Sequence, residues 1–235
     1  MTDTSPAAPD PNAEFDELRQ AILAAVLPNV PFDGWTMAAL KTAAADAGYA
    51  PDEALRAFSG GPREAVEAYL QMADARMMES LAAVDVDSLK VRERIAMAVR
   101  TRLENAAAER DVVRRTLSLL ATPAYARVSA RSLYRTVDAI WYWAGDTATD
   151  FNFYTKRGLL AGVYFSTLLY WLDDETPDSE ATWTFLDRRI ADVMRIPKLT
   201  GRLRGLADRL PGPLRALRRC RPGPASAPPF SSTLL

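Results

Sequence analysis

Apolar residues recur at a helical period along most of this chain. In its long segments hydrophobic side chains return every three or four positions, as in Leu160, Val163, Tyr164, Leu168 and Trp171. Alanine, leucine, arginine and glutamate dominate, and sparse β-branched residues disfavour sheets. A chain of 235 residues can bury one sizeable core, or one core with a small appended subdomain. The pattern predicts an all-α protein of about nine or ten helices.

Prolines, glycines and caps divide this pattern into helices. Pro28 and Pro31 stop the first helix, and Pro62 suits the first position of another. Asp87 or Ser88 is predicted to cap a helix that runs through residue 103. The other predicted helices are 14–27, 36–47, 51–58, 63–81, 111–120, 122–143, 153–172 and 179–194.

The composition excludes most familiar catalytic and metal sites. The chain has no histidine, which removes Ser-His-Asp and Cys-His mechanisms and histidine-ligated zinc or iron sites. Its only cysteine, Cys220, lies in an arginine- and proline-rich tail, so disulfide frameworks and thiolate metal sites are excluded too. No calcium-loop pattern of carboxylates occurs. We therefore expect no cofactor and no catalytic residue set.

Charge is balanced overall but opposed at the two ends. The net charge is −1, while residues 1–60 are mainly acidic and residues 195–221 carry nine bases against Asp208 alone. A basic end favours phosphate, either of lipid headgroups or of nucleic acid. No apolar run reaches the ~20 residues that cross a bilayer, and the first eighteen residues carry no base. These features predict a protein of a bacterial-type cytoplasm.

Aromatic residues concentrate between residues 139 and 189. Four of the five tryptophans fall in this stretch, beside polar residues such as Asp146, Asn152, Lys156 and Arg157. Such a density suits an apolar pocket or a docking surface with a polar mouth. The alternative is that these aromatic side chains only pack the core.

The segment from Thr36 to Phe58 has helix–turn–helix spacing. Ala47 and Gly48 resemble the turn of a TetR-type domain, with Leu55 near its core aromatic position and Phe58 at its closing aromatic position. The second helix, however, begins with Pro51 followed by two acids, which would repel a DNA backbone. We predict a helical scaffold that has lost the chemistry for reading DNA.

The central motifs resemble one known family. The blocks DTATDFN (146–152), YTKR (154–157) and TWTFLDRR (182–189) closely resemble the ubiquinone (coenzyme Q) biosynthesis accessory proteins of TetR-like fold. The similarity is strong from residue 84 to 194 and weaker but collinear over residues 14–83. It implies a non-enzymatic homodimer that binds isoprenoid or phospholipid and presents quinone intermediates to the di-iron demethoxyubiquinone hydroxylase.

The resemblance and the helical pattern together nominate binding residues. Arg157 matches the family's lipid-headgroup arginine, and a guanidinium can hold a phosphate bidentately. Its alternative partner is an aspartate: Asp146, Asp150 or Asp174. Four residues on the same helix face are predicted to contact the apolar tail of the lipid: Leu160, Tyr164, Leu168 and Trp171.

A second group matches the family's docking patch for the hydroxylase. Phe153 and Tyr154 are the aromatic anchors, with Asp146, Asn152 and Lys156 as the polar rim. The family usually has tryptophan where Phe153 stands, so a weaker anchor is expected. The alternative is that both aromatic residues are buried.

The last predicted helix is amphipathic and basic. Leu199, Leu203, Leu206 and Leu210 form one stripe, flanked by Arg202 and Arg209. This form suits an anionic membrane surface. The competing interpretation is a helix packed on the body with its arginines in solvent.

The predicted architecture is an all-α TetR-like fold with a degenerate helix–turn–helix. Its parts are a disordered tail (1–13), the helix–turn–helix region (14–83), a lipid-binding and docking domain (84–197), a membrane-binding helix (198–221) and a second disordered tail (222–235). Two functional alternatives remain: a ligand-responsive TetR-type repressor, and an enzyme using Asp146, Asp150 and Lys156 for acid–base chemistry.

Overall fold

A computed structural model describes residues 11–145 and 152–207, with side chains described in 12–145 and 154–194. All regular structure in these ranges is helical, as the sequence predicts. The α-helices in them are α1 (Pro11–Val26), α2 (Val30–Asp33), α3 (Met37–Asp46), α4 (Glu53–Ala57), α5 (Pro62–Leu81), α6 (Val91–Glu104), α7 (Arg110–Leu120), α8 (Ala126–Trp143), α9 (Asn152–Asp173) and α10 (Glu180–Ala207). Short 3-10 turns join several of them.

The chain divides into two units, residues 1–193 and residues 194–235. Within the second unit the described residues, 194–207, are helical. The predicted domain boundary at 197/198 falls within α10, and the proposed domains stay predictions. The two tails that the sequence predicts to be disordered, 1–13 and 222–235, lie outside the described residues except for 11–13.

Most helix starts follow the predicted local chemistry. The Thr36 hydroxyl accepts a hydrogen bond from Ala39 N at 3.1 Å and caps α3. Pro62 occupies the first turn of α5. The cap predicted at Asp87 or Ser88 is wrong, because both belong to a 3-10 turn and α6 begins only at Val91. There the Glu93 carboxylate instead accepts from Lys90 N at 3.0 Å.

An N-terminal core joins α1, α3, α4 and the first half of α5. Phe58 is fully buried, as expected for a closing aromatic residue, whereas Leu55 is 47% exposed. The prediction that Leu55 occupies a core position is therefore wrong: α4 turns Ala54 and Ala57 inward instead. Arg19 covers the Phe58 ring, with its guanidinium carbon 4.8 Å from the ring centroid.

A second core is built from the end of α5 with α6, α8, α9 and the first part of α10. Its largest fully buried side chain is Trp171 on α9. The Arg110 guanidinium lies 4.5 Å from the Trp171 ring centroid, a cation–π contact that closes one side of the core. This core surrounds the candidate site.

Candidate functional site

One face of α9 carries all five residues predicted to bind lipid. Arg157, Leu160, Tyr164, Leu168 and Trp171 are each buried, because they share the helix face that meets the second core. The structure thus brings them together as predicted. It also makes them core residues in the state described, so their role in binding lipid stays a prediction.

A small enclosed cavity lies beside this face, with a volume of about 40 Å³. A single water needs roughly 10–15 Å³ by such a measure, so the cavity has room for a few waters and not for an isoprenoid chain. Its walls come from α5, α6, α7 and α9. They are formed by Tyr69, Leu70, Arg102, Leu103, Ala106, Val113, Thr116, Leu117, Leu120, Tyr164, Leu168 and Trp171.

Arg157 is bound to a neighbouring helix. Its Nε and Nη2 atoms each lie 2.7 Å from Oδ1 of Asp138 on α8, and the arginine side chain is 7% exposed. The sequence predicts Asp146, Asp150 or Asp174 as the aspartate partner of Arg157, and Asp138 is not among them. Asp146 and Asp150 lie outside the described residues, so they stay predictions. Asp174 has other partners: its two carboxylate oxygens accept from Thr176 and Thr182.

The predicted docking residues are only partly described. Tyr154 is 72% exposed, so the alternative that it is buried is wrong. Lys156 places its Nζ 5.6 Å from the Trp141 ring centroid. The structure does not describe the side chains of Asn152 and Phe153. Asp146 lies outside the described residues altogether.

The residues of the acid–base alternative are also only partly described. Asp146 and Asp150 fall in the gap between the two described ranges, and Lys156 is in contact with an aromatic ring. Within the described ranges no group of three or more cysteine and carboxylate side chains is placed to hold a metal ion.

A buried charged cluster was missed at the sequence level. Asp74 on α5 accepts hydrogen bonds from Arg102 Nε at 3.1 Å, Arg135 Nε at 3.0 Å and Thr136 Oγ1 at 2.8 Å. Asp74 and Arg102 are each 6% exposed. A signal was available, because Arg102 stands seven residues after Ile95, on the apolar face of α6.

The helix–turn–helix region supports the loss of DNA-reading chemistry. Helix α4 has only five residues, and its first acid, Glu53, pairs with Arg56 at 3.0 Å. Lys41 on α3 donates to Asp52 at 2.8 Å, and this hydrogen bond lowers the pKa of Asp52. Both cations are thus held by acids of the same motif.

The predicted membrane-binding residues cannot be placed in full. The backbone of Leu199, Arg202, Leu203 and Leu206 is helical within α10, but their side chains are outside the described set. Arg209 and Leu210 lie beyond the described residues. No helix in the described ranges combines the length and hydropathy of a membrane span.

Residues 126–197 match the protein-family model described as COQ9. The chain is 33% identical over 202 residues to "Ubiquinone biosynthesis protein COQ9, mitochondrial" of Rattus norvegicus, covering 83% of this chain and 64% of the rat protein. It is 32% identical over 188 residues to the Homo sapiens protein of that name, covering 77% of this chain and 59% of the human one. Over these lengths the chain is similar to the COQ9 proteins of ubiquinone biosynthesis.

The match to the COQ9 model and to these proteins confirms the resemblance read from the central motifs. The Drosophila melanogaster COQ9 protein is 31% identical over 207 residues, covering 86% of this chain and 63% of that protein. This chain therefore spans less than two thirds of the length of these COQ9 relatives. The matched residues 126–197 contain α8, α9 and the first part of α10.

A solved structure supports the fold. The TetR transcriptional regulator from Nitrosomonas europaea ATCC 19718 aligns with a TM-score of 0.63, covering 76% of this chain and 99% of that chain. Sequence identity is 22%, so the likeness concerns the fold alone. It confirms the predicted all-α, TetR-like architecture of this chain.

Proposed function

We propose that this chain is a lipid-binding accessory protein of ubiquinone biosynthesis. It takes an isoprenoid or phospholipid into its helical domain and presents quinone intermediates to the di-iron demethoxyubiquinone hydroxylase. One observation carries the proposal: the COQ9 match of residues 126–197 contains α8 and α9, and α9 holds the buried aromatic face. The COQ9 relatives are named for ubiquinone biosynthesis.

The lipid-binding part of the proposal requires the cavity to widen. Three of its wall residues, Val113, Leu117 and Leu120, are only half-buried and stand on the short helix α7. Displacing such a helix costs less buried apolar area than displacing α9, whose cavity-facing side chains are buried. We propose that α7 moves outward to admit the chain of the lipid.

Chemistry in this proposal belongs to the partner enzyme. The cavity is lined mainly by aliphatic and aromatic side chains, which hold a ligand and do not move its protons. Exposed Tyr154 supplies one of the two aromatic anchors proposed for the hydroxylase. Homodimer formation also belongs to the proposal.

Membrane association is the remaining part. We propose that residues 198–221 hold the protein peripherally on an anionic membrane of a bacterial cell, through the leucine stripe and flanking arginines. Flotation with anionic and neutral vesicles tests this. The full chain should float with anionic vesicles, and residues 1–197 alone should not; equal flotation of the two would remove this part.

The cavity is tested by the lipids that accompany the natively purified protein. Organic extraction and mass spectrometry should find stoichiometric isoprenoid or phospholipid. Ala106 is buried in the cavity wall, so Ala106→Leu should reduce the bound lipid severalfold. Ala108→Leu is the matched control, because Ala108 is exposed two residues away. A folded wild-type protein without lipid would remove the lipid-binding proposal.

The pathway assignment needs a cellular readout. Deleting the gene should lower ubiquinone and raise its demethoxy precursor, and a plasmid copy should restore both. Pull-down of the hydroxylase by wild type and by Tyr154→Ala then tests the docking patch. Unchanged quinone levels after deletion would exclude the proposed pathway role.

A ligand-responsive TetR-type repressor stays the alternative, although the shared fold alone does not favour it. The paired charges Lys41–Asp52 and Arg56–Glu53 oppose it, since phosphate contacts need free cations on this motif. Selection against random duplex DNA at several salt concentrations distinguishes the two. Specific binding with a steep salt dependence would favour the repressor.

A further inference from the structure

Arg102 is the buried cation of the cavity wall. It is 6% exposed, stands near the end of α6 and faces the space shared with Tyr69, Thr116 and Tyr164. Its Nε donates to Asp74 Oδ1 at 3.1 Å. A guanidinium carries five N–H donors, and this contact uses the one on Nε. A guanidinium in such a place has donors to offer to a ligand.

The cluster around Arg102 has an excess of positive charge. Asp74 is shared by two guanidinium groups, those of Arg102 and Arg135, which leaves a formal charge of +1. The nearest further pair, Arg76 with Glu109 at 2.8 Å, is neutral. The Arg135 side chain is 31% exposed, so water screens part of this charge, and an anion beside buried Arg102 would offset the rest.

A second sign of unmet polarity lies in the same cluster. Arg135 Nη2 is buried without a hydrogen-bond partner in the described part of the chain. Buried polar atoms are usually paired, so an unpaired donor in the cluster that holds Arg102 indicates a missing acceptor.

The size of the cavity decides which acceptor fits. At about 40 Å³ it takes the volume of a few waters, which suits a carboxylate better than the bulkier phosphate. The remaining wall is aliphatic and aromatic, and its half-buried members Val113 and Leu117 lie toward the surface. An attached apolar chain would pass between these residues.

We propose that Arg102 binds the carboxylate of an amphiphile, with the apolar chain of that molecule running out past α7. The inference rests on the proposed function in one respect, since both need α7 to move. It differs in placing an anionic head at Arg102, deep among the helices, and in naming a carboxylate. A fatty acid or a carboxylated isoprenoid ring would supply this chemistry.

The test compares three probes with the same eight-carbon chain on delipidated full-length protein. Calorimetric titration should show octanoate binding at least tenfold more tightly than octan-1-ol or octyl phosphate. Equal affinities for octanoate and octan-1-ol, a preference for octyl phosphate, or no binding of any probe would overturn the inference.

Two sets of variants locate the binding. Arg102→Lys keeps a cation but loses the planar fork, and should weaken octanoate binding about tenfold while leaving octan-1-ol unchanged. Because Arg102 is buried and bonded to Asp74, Arg102→Lys also perturbs folding. Ala106→Leu gives an independent test by filling the cavity, with Ala108→Leu as its control. Unchanged octanoate binding in Ala106→Leu would place the carboxylate elsewhere and overturn the inference.

The outcomes also separate this inference from the proposed function. A neutral isoprenoid co-purifying with wild type, together with no preference for octanoate, would leave lipid binding intact and remove Arg102 as a carboxylate site. Absence of co-purifying lipid together with octanoate selectivity would remove the lipid-binding proposal and leave Arg102 as a carboxylate site.

Discussion

Arg157 on α9 and Asp138 on α8 join two helices through one carboxylate oxygen, with Arg157 Nε and Nη2 each 2.7 Å from Asp138 Oδ1. The arginine is almost wholly buried, while the Asp138 side chain is 45% exposed. A lipid phosphate would therefore have to share or displace an existing partner of Arg157. Charge reversal at Arg157 is a poor probe of lipid binding, since it would set two carboxylates against each other.

Asp138→Asn is the first prediction. It removes the charge that faces a buried guanidinium, so the free energy of unfolding should fall by about 1–3 kcal/mol. Urea denaturation at neutral pH measures this. Asp187→Asn, at an exposed aspartate on α10, should change stability by less than about 0.5 kcal/mol. If both variants match wild type, the pair contributes little to stability.

The second prediction separates core aromatic residues from surface ones on the same helix. Trp171→Ala empties a fully buried site and should lower stability by about 3–5 kcal/mol, whereas Phe165→Ala, at a 45% exposed site, should cost less than about 1 kcal/mol. Chemical denaturation of both variants checks this. Similar losses in the two would mean that Phe165 is also covered in solution.

The fold could be predicted further than the site. Helix periodicity, Pro62 and the turn at Gly48 placed most helices to within a few residues, because these are local properties of the chain. The end predicted at residue 194 is wrong, because α10 runs on to Ala207. The start of α6 is also wrong, because Asp87 and Ser88 belong to a 3-10 turn that Asp85 caps. Leu55 failed because the short α4 turns its alanines toward the core.

Partners across helices could not be predicted. The face of α9 was readable from spacing, and its five residues are buried together. That Arg157 meets Asp138, nineteen residues earlier, depends on how α8 packs against α9, which no local pattern specifies. The convergence of Asp74, Arg102 and Arg135 from three helices is of the same kind.

The third prediction concerns acid stability. Burial alone would raise the pKa of Asp174, but hydrogen bonds from the hydroxyl and backbone N–H groups of Thr176 and Thr182 outweigh it and lower that pKa from 3.8 to about 2. A carboxyl with a lowered pKa stabilises the folded state above its unfolded pKa. That stability is lost as pH falls from about 4 to about 2.

Asp174→Asn should therefore cost about 1–2 kcal/mol near pH 6, a cost that shrinks toward pH 2. Thermal unfolding measured across this range gives the comparison. Asp173→Asn is the matched control, because Asp173 is the adjacent residue and its side chain is 82% exposed. A penalty for Asp174→Asn that stays constant with pH would contradict the low pKa.

The last prediction concerns the link between the two cores. Thr116 on α7 lines the cavity, and its hydroxyl both donates to Val112 O at 2.7 Å and accepts from Trp35 Nε1 at 2.9 Å. Trp35 also packs on Tyr69, another cavity residue, with ring centroids 5.5 Å apart. The N-terminal core thus reaches the cavity wall through the Trp35 indole as well as through Tyr69, which belongs to both.

Thr116→Val keeps the shape of the side chain but leaves the buried indole N–H of Trp35 without its acceptor. Stability should fall by about 1–3 kcal/mol, measured by urea denaturation. Ser118→Ala removes a comparable bond, from Ser118 Oγ to Arg114 O at 3.0 Å, at an exposed position two residues away. It should cost less than about 0.5 kcal/mol.

If α7 moves outward when the cavity fills, Thr116→Val should also make octanoate binding tighter, because one contact that holds α7 in place is gone. Weaker or unchanged binding would show that α7 is held by other contacts.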